Sequence, residues 1–340
     1  MKIIKKSDKI NKNYGIEILR VILSFMVVLD HFYNRKRKKK LTYILYYNIP
    51  TFFLLSFYYT HNIFATFNIN KIKLRFKRLA IPYICWSLIA FAKNNIYYYI
   101  FKRKYKHTIK AFLHHLLNGQ ILIASLWFQN ILILTTLIVS FFVVLFKKDY
   151  LLIFQILIIL SYICQYSGQN YHFFKKYTTL HYRLTYGRFL ETFPHSLSGF
   201  ILAEFSVPTK LKMFKLRTII FSIIILITIS KYRFLKESLG FKYGGIRRNI
   251  AAIFIFLLFV LPLDKIIKVK VIKVIEIITK YTPGIYFLHE FVGTGYNIKF
   301  ILGNNIDTFF GCIIIYLRSY MLCLFIDKFI GNTNFKHLIK

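Results

Sequence analysis

The sequence predicts an all-α, polytopic integral membrane protein, with about ten transmembrane helices in one bundle. Three observations predict it. Of the 340 residues, 56% are hydrophobic and 19% aromatic, and the mean hydropathy is +0.50, values outside the range of soluble folds. The apolar residues fall in runs of roughly 17 to 25, bounded by basic or polar clusters. The runs are continuously apolar instead of alternating, so helices and not barrel strands satisfy the backbone in lipid.

In chain order the expected spans are 15–33, 43–60, 79–101, 126–146, 150–166, 187–204, 216–232, 249–264, 283–301 and 308–330. The first is retained as a helix and not cleaved as a signal peptide, since the basic block Arg35 to Lys40 follows it directly and no small-residue cleavage site does. Between 101 and 126, residues 111–125 suit a re-entrant or interfacial helix. No hydrophilic stretch is long enough for a separate soluble domain, so residues 1–340 form one membrane domain. Lys and Arg number 49 against 12 Asp and Glu, a net charge of +37. The cations sit in short clusters between spans, which suits anionic lipid headgroups and phosphates. With no soluble basic domain, nucleic acid is excluded as a partner. The distribution of Lys and Arg does not settle orientation. Cys85, Cys164, Cys312 and Cys323 all lie in apolar segments without metal or disulfide spacing, so no metal site is expected.

Ionisable groups inside spans are costly and mark function or a buried partner. Arg20 and His31 lie eleven residues apart in the first span, within about 20° of one helix face and separated by a rise of roughly 16 Å. Asp30 is about 100° around from His31 and poorly placed to orient it. Arg75 and Arg78, three apart after Lys71, are helix neighbours suited to gripping phosphate, and Pro82 is positioned to begin the following span. Glu191 and His195 flank Pro194 and suit a structural polar contact between helices. His289-Glu290 has the start of a zinc signature, but residue 293 is Gly where the second His would stand.

Five landmarks follow one another along the chain: Leu19, Arg20 and His31 as L-R-x10-H; Pro50-Thr51-Phe52-Phe53-Leu54-Leu55-Ser56-Phe57; Arg75 and Arg78 as R-x-x-R, followed by Pro82 and Tyr83; Ser125-Leu126-Trp127-Phe128; and Gly284, Tyr286 and His289 as G-x-Y-x-x-H. In this order they resemble the landmarks of acyltransferase family 3, the integral-membrane O-acyltransferases of bacterial surface polysaccharides. The second is similar to the family's P-x-F-F-x-x-S-G-F, with Phe57 where the family has Gly, and the fourth to its L-W-F entry to a middle span. The resemblance implies acyl-CoA, usually acetyl-CoA, as donor substrate. It places Arg75 and Arg78 on the donor phosphates, His31 and Arg20 at the reacting centre, and Ser56, Trp127, Tyr286 and His289 around the substrate pocket. The expected acceptor is a carbohydrate or lipid-linked saccharide, at the bacterial cytoplasmic (inner) membrane and among its lipids. A multi-pass transporter or flippase for lipid-linked saccharides accounts equally for spans and buried charges, but not for the joint order of the five landmarks.

Overall fold

The computed structural model describes residues 13–33, 45, 47–66, 68–101, 108–118, 126–146, 149–167, 180–205, 245–260, 269–293, 308–330 and 339. Every regular element among them is an α-helix: α1 (Tyr14–Phe32), α2 (Asn48–Ala65), α3 (Ile69–Phe101), α4 (Ile109–Asn118), α5 (Leu126–Phe146), α6 (Tyr150–Ser167), α7 (Leu180–Glu204), α8 (Ile246–Val260), α9 (Val269–Lys280), α10 (Thr282–Gly293) and α11 (Phe309–Ile330). The expected span 216–232, the basic block Arg35 to Lys40 and Ser125 lie outside the described residues.

Side-chain caps fix several of the starts. Asn13 accepts from the Ile16 amide and donates 2.8 Å to the Val260 carbonyl, so α1 is capped and tied to the end of α8 by one amide group. Asn68 Oδ1 accepts from Lys71 N at 3.1 Å, which starts α3 ahead of its basic cluster. This corrects the expectation that Pro82 begins a span: α3 is continuous for 33 residues, with Pro82 inside it. Proline there leaves the Arg78 carbonyl without its usual amide. Next to it, the Leu79 carbonyl accepts from Gln129 Nε2 of α5 at 3.0 Å, which ties α3 to α5 one residue from the break. Tyr83 Oη donates to the Leu116 carbonyl at 2.6 Å and pins the short amphipathic α4, within the region expected to be interfacial, against α3.

Close backbone approach sets the helix crossings. A methyl group on Gly199 of α7 would overlap the Leu54 carbonyl of α2, and one on Gly15 of α1 would overlap the Phe259 carbonyl of α8. Small residues at crossings are how membrane helices gain packing where no hydrophobic effect drives them together. Thr282 lies beside Arg20, and a side chain at Gly293 would strike the Phe32 ring, so α1 and α10 run parallel as neighbours.

Long apolar side chains point away from the bundle. On α6, Leu152, Ile156, Ile159 and Ile163 form one exposed stripe, and on α11 Phe310, Leu317, Met321 and Phe325 form another, opposite buried Cys312, Ile315, Ser319 and Cys323. Such faces are soluble in lipid and not in water. Two described helices, α5 and α11, are long and apolar enough to cross a membrane on those grounds alone. Of the other described helices, α10 is shorter and the first part of α3 carries charge, while the expected span 216–232 lies outside the described residues, so these residues do not test the count of ten.

Candidate active site

Parts of α1, α2, α3, α5 and the start of α10 enclose a cavity of about 400 Å3. Three arginines line it, Arg20, Arg75 and Arg78, with Glu17 as the one carboxylate among the lining residues. Arg20 Nη1 donates to Glu17 Oε2 at 3.0 Å, and its Nη2 reaches Thr282 Oγ1 at 3.4 Å. Tyr59 Oη also donates to Glu17, at 3.4 Å. Glu17 is thus engaged by Arg20 and Tyr59, which leaves positive charge in excess around Arg75 and Arg78.

Arg75 is held by α2. Its Nη2 donates to Ser56 Oγ at 3.1 Å, and its guanidinium carbon lies 5.2 Å from the centroid of the Phe57 ring and 6.0 Å from that of Phe64. Phe57, which replaces the glycine of the resembled pattern, is therefore a shelf for the cation; its ring stacks on Phe64 at 6.3 Å and 9°. The Nε of Arg75 is buried and has no hydrogen-bond partner among the described residues. A buried unpaired donor on a charged group is unfavourable by about 1–3 kcal/mol or more. Guanidinium groups present the forked donors that phosphate oxygens match.

A second group of side chains lies where α1 and α10 run together. His31 Nδ1 is 3.3 Å from Glu290 Oε1. The rings of His31 and His289 approach at 5.0 Å between centroids, edge to face. His289 is fully buried, and its Nδ1 lies 3.2 Å from the Ile285 carbonyl. That contact assigns the proton to Nδ1 and leaves Nε2 as an acceptor, with no hydrogen-bond partner among the described residues. One donor atom from each of His31, His289 and Glu290 lies within 4.8 Å of the others, a set able to hold a cation such as Zn2+. The second imidazole that the His289-Glu290 pair lacks in sequence thus comes from α1.

Tyr286 joins the two groups. It lines the cavity, packs its ring 5.2 Å from that of Phe128 and lies 6.0 Å from His289, one turn further along α10. His31 is not in the cavity wall; ring contacts run from Tyr286 to His289 and from His289 to His31.

The sequence matches a family described as an acyltransferase domain over residues 13–324, nearly the whole chain. The chain belongs to acyltransferase family 3. It is accordingly a membrane acyltransferase, and the lipid-soluble faces of α6 and α11 are what such a protein requires. No curated protein and no solved structure matches the chain.

Of the residues expected at the site of this acyltransferase, Arg20, Ser56, Arg75, Arg78 and Tyr286 share the cavity, while His31 and His289 share the second group. Arg20 therefore sits with the other arginines, although it was paired with His31 from the shared helix face. Trp127 is not in the cavity wall. It lies beneath the Arg188 guanidinium at 4.4 Å, and its neighbour Phe128 faces the cavity instead. Glu17, Tyr59, Gln129 and Thr282 are polar lining residues that no motif singled out.

His195 is part of a buried bridge between α7 and α8: its Nδ1 contacts Asn249 Oδ1 at 3.1 Å, and Asn249 Nδ2 donates to Ser198 Oγ at 2.9 Å. Another bridge, unexpected from sequence, links α2, α6 and α7, where Glu204 meets His61 and accepts from Tyr150 Oη at 2.9 Å. Both bridges satisfy polar groups inside the bundle and lie outside the cavity wall. Replacing His195 by Asn should therefore leave turnover per folded molecule unchanged while lowering thermal stability. Transfer normalised to detergent-extracted folded protein checks this, and a large loss of rate at normal abundance would contradict it.

Proposed function

We propose that this acyltransferase moves an acyl group, acetyl in the first instance, from acyl-CoA to a sugar hydroxyl of a cell-surface polysaccharide or its lipid-linked precursor, in the bacterial cytoplasmic membrane. The observation that carries the reading is the cavity, lined by three arginines, Arg20, Arg75 and Arg78, against Glu17 as the one carboxylate among its lining residues. Its volume falls within the roughly 300–1,000 Å3 typical of small-molecule sites. The donor's phosphates are anions of the right kind for Arg75 and Arg78, with Arg20 behind them. The thioester arm then runs past Tyr286 toward His31.

A hydroxyl is a poor nucleophile at its ordinary pKa. His31 takes the hydroxyl proton as the oxygen attacks the thioester carbonyl, the new C–O bond forms, the C–S bond breaks, and CoA leaves as a thiolate that is then protonated. With the amino terminus in the cytoplasm, the arginine cavity faces the inner side and His31 lies about 16 Å further along α1, so an inner donor serves an outer acceptor.

The test is transfer of label from labelled acetyl-CoA in membranes carrying the chain, followed by mass spectrometry of surface glycans. Label in ester linkage to sugar supports the reading. Saccharide movement across the membrane without label transfer would replace it with a flippase.

A further inference from the structure

A histidine that acts as a base needs one ring nitrogen committed to its proton so that the other is free to receive one. For His31 the partner in place is Glu290: Nδ1 and Oε1 are 3.3 Å apart, with the Glu290 side chain mostly covered, 12% exposed, and His31 still open on its other side. We propose that Glu290 is the positioning residue for His31, holding the proton on Nδ1, presenting Nε2 to the acceptor hydroxyl and balancing the imidazolium as it forms. This inference rests on the reading of His31 as general base.

The geometry is fixed by the helices and not by a mobile loop. Both residues lie on α1 and α10, whose register is locked where Gly293 meets the Phe32 ring without room for a side chain. His289 packs its ring against His31 and is itself committed to the Ile285 carbonyl through Nδ1, so its proton is spent within its own helix. Titratable groups near His31 include Glu290 and His289 from α10, with Asp30 adjacent in its own helix. The 3.3 Å contact falls short of an aligned hydrogen bond, as catalytic contacts often do before substrate tightens them. A carboxylate at that range, itself mostly covered, stabilises the cation as it forms on His31.

The experiment titrates labelled acetyl-CoA over membranes carrying the full chain, with the membranes' own glycans as acceptor, for E290Q, E290D, H31A and H31A/E290Q. Gln keeps the shape and removes the charge. We expect E290Q to lower kcat about ten- to a hundredfold, less than the about 10²–10⁴ expected of the base itself, with the apparent KM for acetyl-CoA within about twofold and E290D recovering part of the rate. Because Glu290 acts through His31, H31A/E290Q should be no slower than H31A. Should the Gln variant not accumulate, a partial kcat at unchanged KM in E290D supports the same conclusion. Wild-type kcat in E290Q, or in E290D if that is the variant that accumulates, would overturn the proposal. So would a double variant reduced by the full product of the two single effects, or one metal ion per chain that E290Q loses and whose chelation stops transfer, since Glu290 would then be a ligand. An inactive H31A beside an active E290Q sinks this inference alone; an active H31A sinks the reading beneath it.

Discussion

Replacing His31 by Ala should cut acyl transfer by on the order of 10² to 10⁴, while membrane insertion and acyl-CoA binding stay largely intact. The expectation follows from position. His31 is in the last turn of α1, against Glu290 and His289 and away from the cavity wall, so its loss removes a proton acceptor without removing a donor contact. Asn preserves a polar group but cannot take up the proton, and should fare little better than Ala. If His31 were an anchor at the membrane edge, the alanine variant would show reduced abundance with normal activity per molecule. Immunoblotting beside mass spectrometry of product distinguishes the two, and a well-expressed, fully active variant rules the mechanism out.

Arg75→Ala should act on the other half of the reaction. It removes a guanidinium that belongs to the cavity lining, donates to Ser56 and lies over Phe57 and Phe64. A hydrogen bond to a charged group contributes about 1.5–3 kcal/mol, which converts to about a 10- to 150-fold rise in the apparent KM for acyl-CoA, with a smaller effect on kcat. Lys should rescue only in part, because it supplies a point charge but neither the fork nor the flat face that lies over Phe57. Titrating labelled acyl-CoA against membranes with matched protein levels measures the change. Unchanged donor affinity would return Arg75 to the role of a headgroup contact.

Where sequence and structure agree, the signal was local. The first span, expected at 15–33, is the helix Tyr14–Phe32, because its limits are written in neighbouring residues: Asn13 as a cap, Glu17 in the first turn, His31 in the last. Arg75, Arg78 and Ser56 share a cavity because helical spacing and hairpin succession bring neighbouring elements together. The misreadings had distant causes. Pro82 looks like a helix start when read alone, yet it is tolerated within α3, whose adjacent Leu79 carbonyl meets Gln129 from α5. Arg20 and His31 stand at opposite ends of α1, as their spacing implies, but the Thr282 and Glu290 that meet them come from far along the chain. Glu290 meets His31 across most of the chain's length, and no periodicity encodes such a contact.

The chain has two tryptophans, and both stand one ring away from the cavity. Trp86 stacks on Phe287 at 6.0 Å and 18°, and Trp127 meets Phe128 edge-on at 6.3 Å, while Phe287 and Phe128 themselves face the cavity. The protein therefore carries an intrinsic optical probe. A ligand that presses on either phenylalanine alters the surroundings of an indole, so the emission spectrum of the unlabelled, unmodified chain gives a binding isotherm for the donor alone. Such a titration works equally well on variants that no longer turn over, and it separates occupancy from chemistry without requiring the acceptor sugar to be in hand.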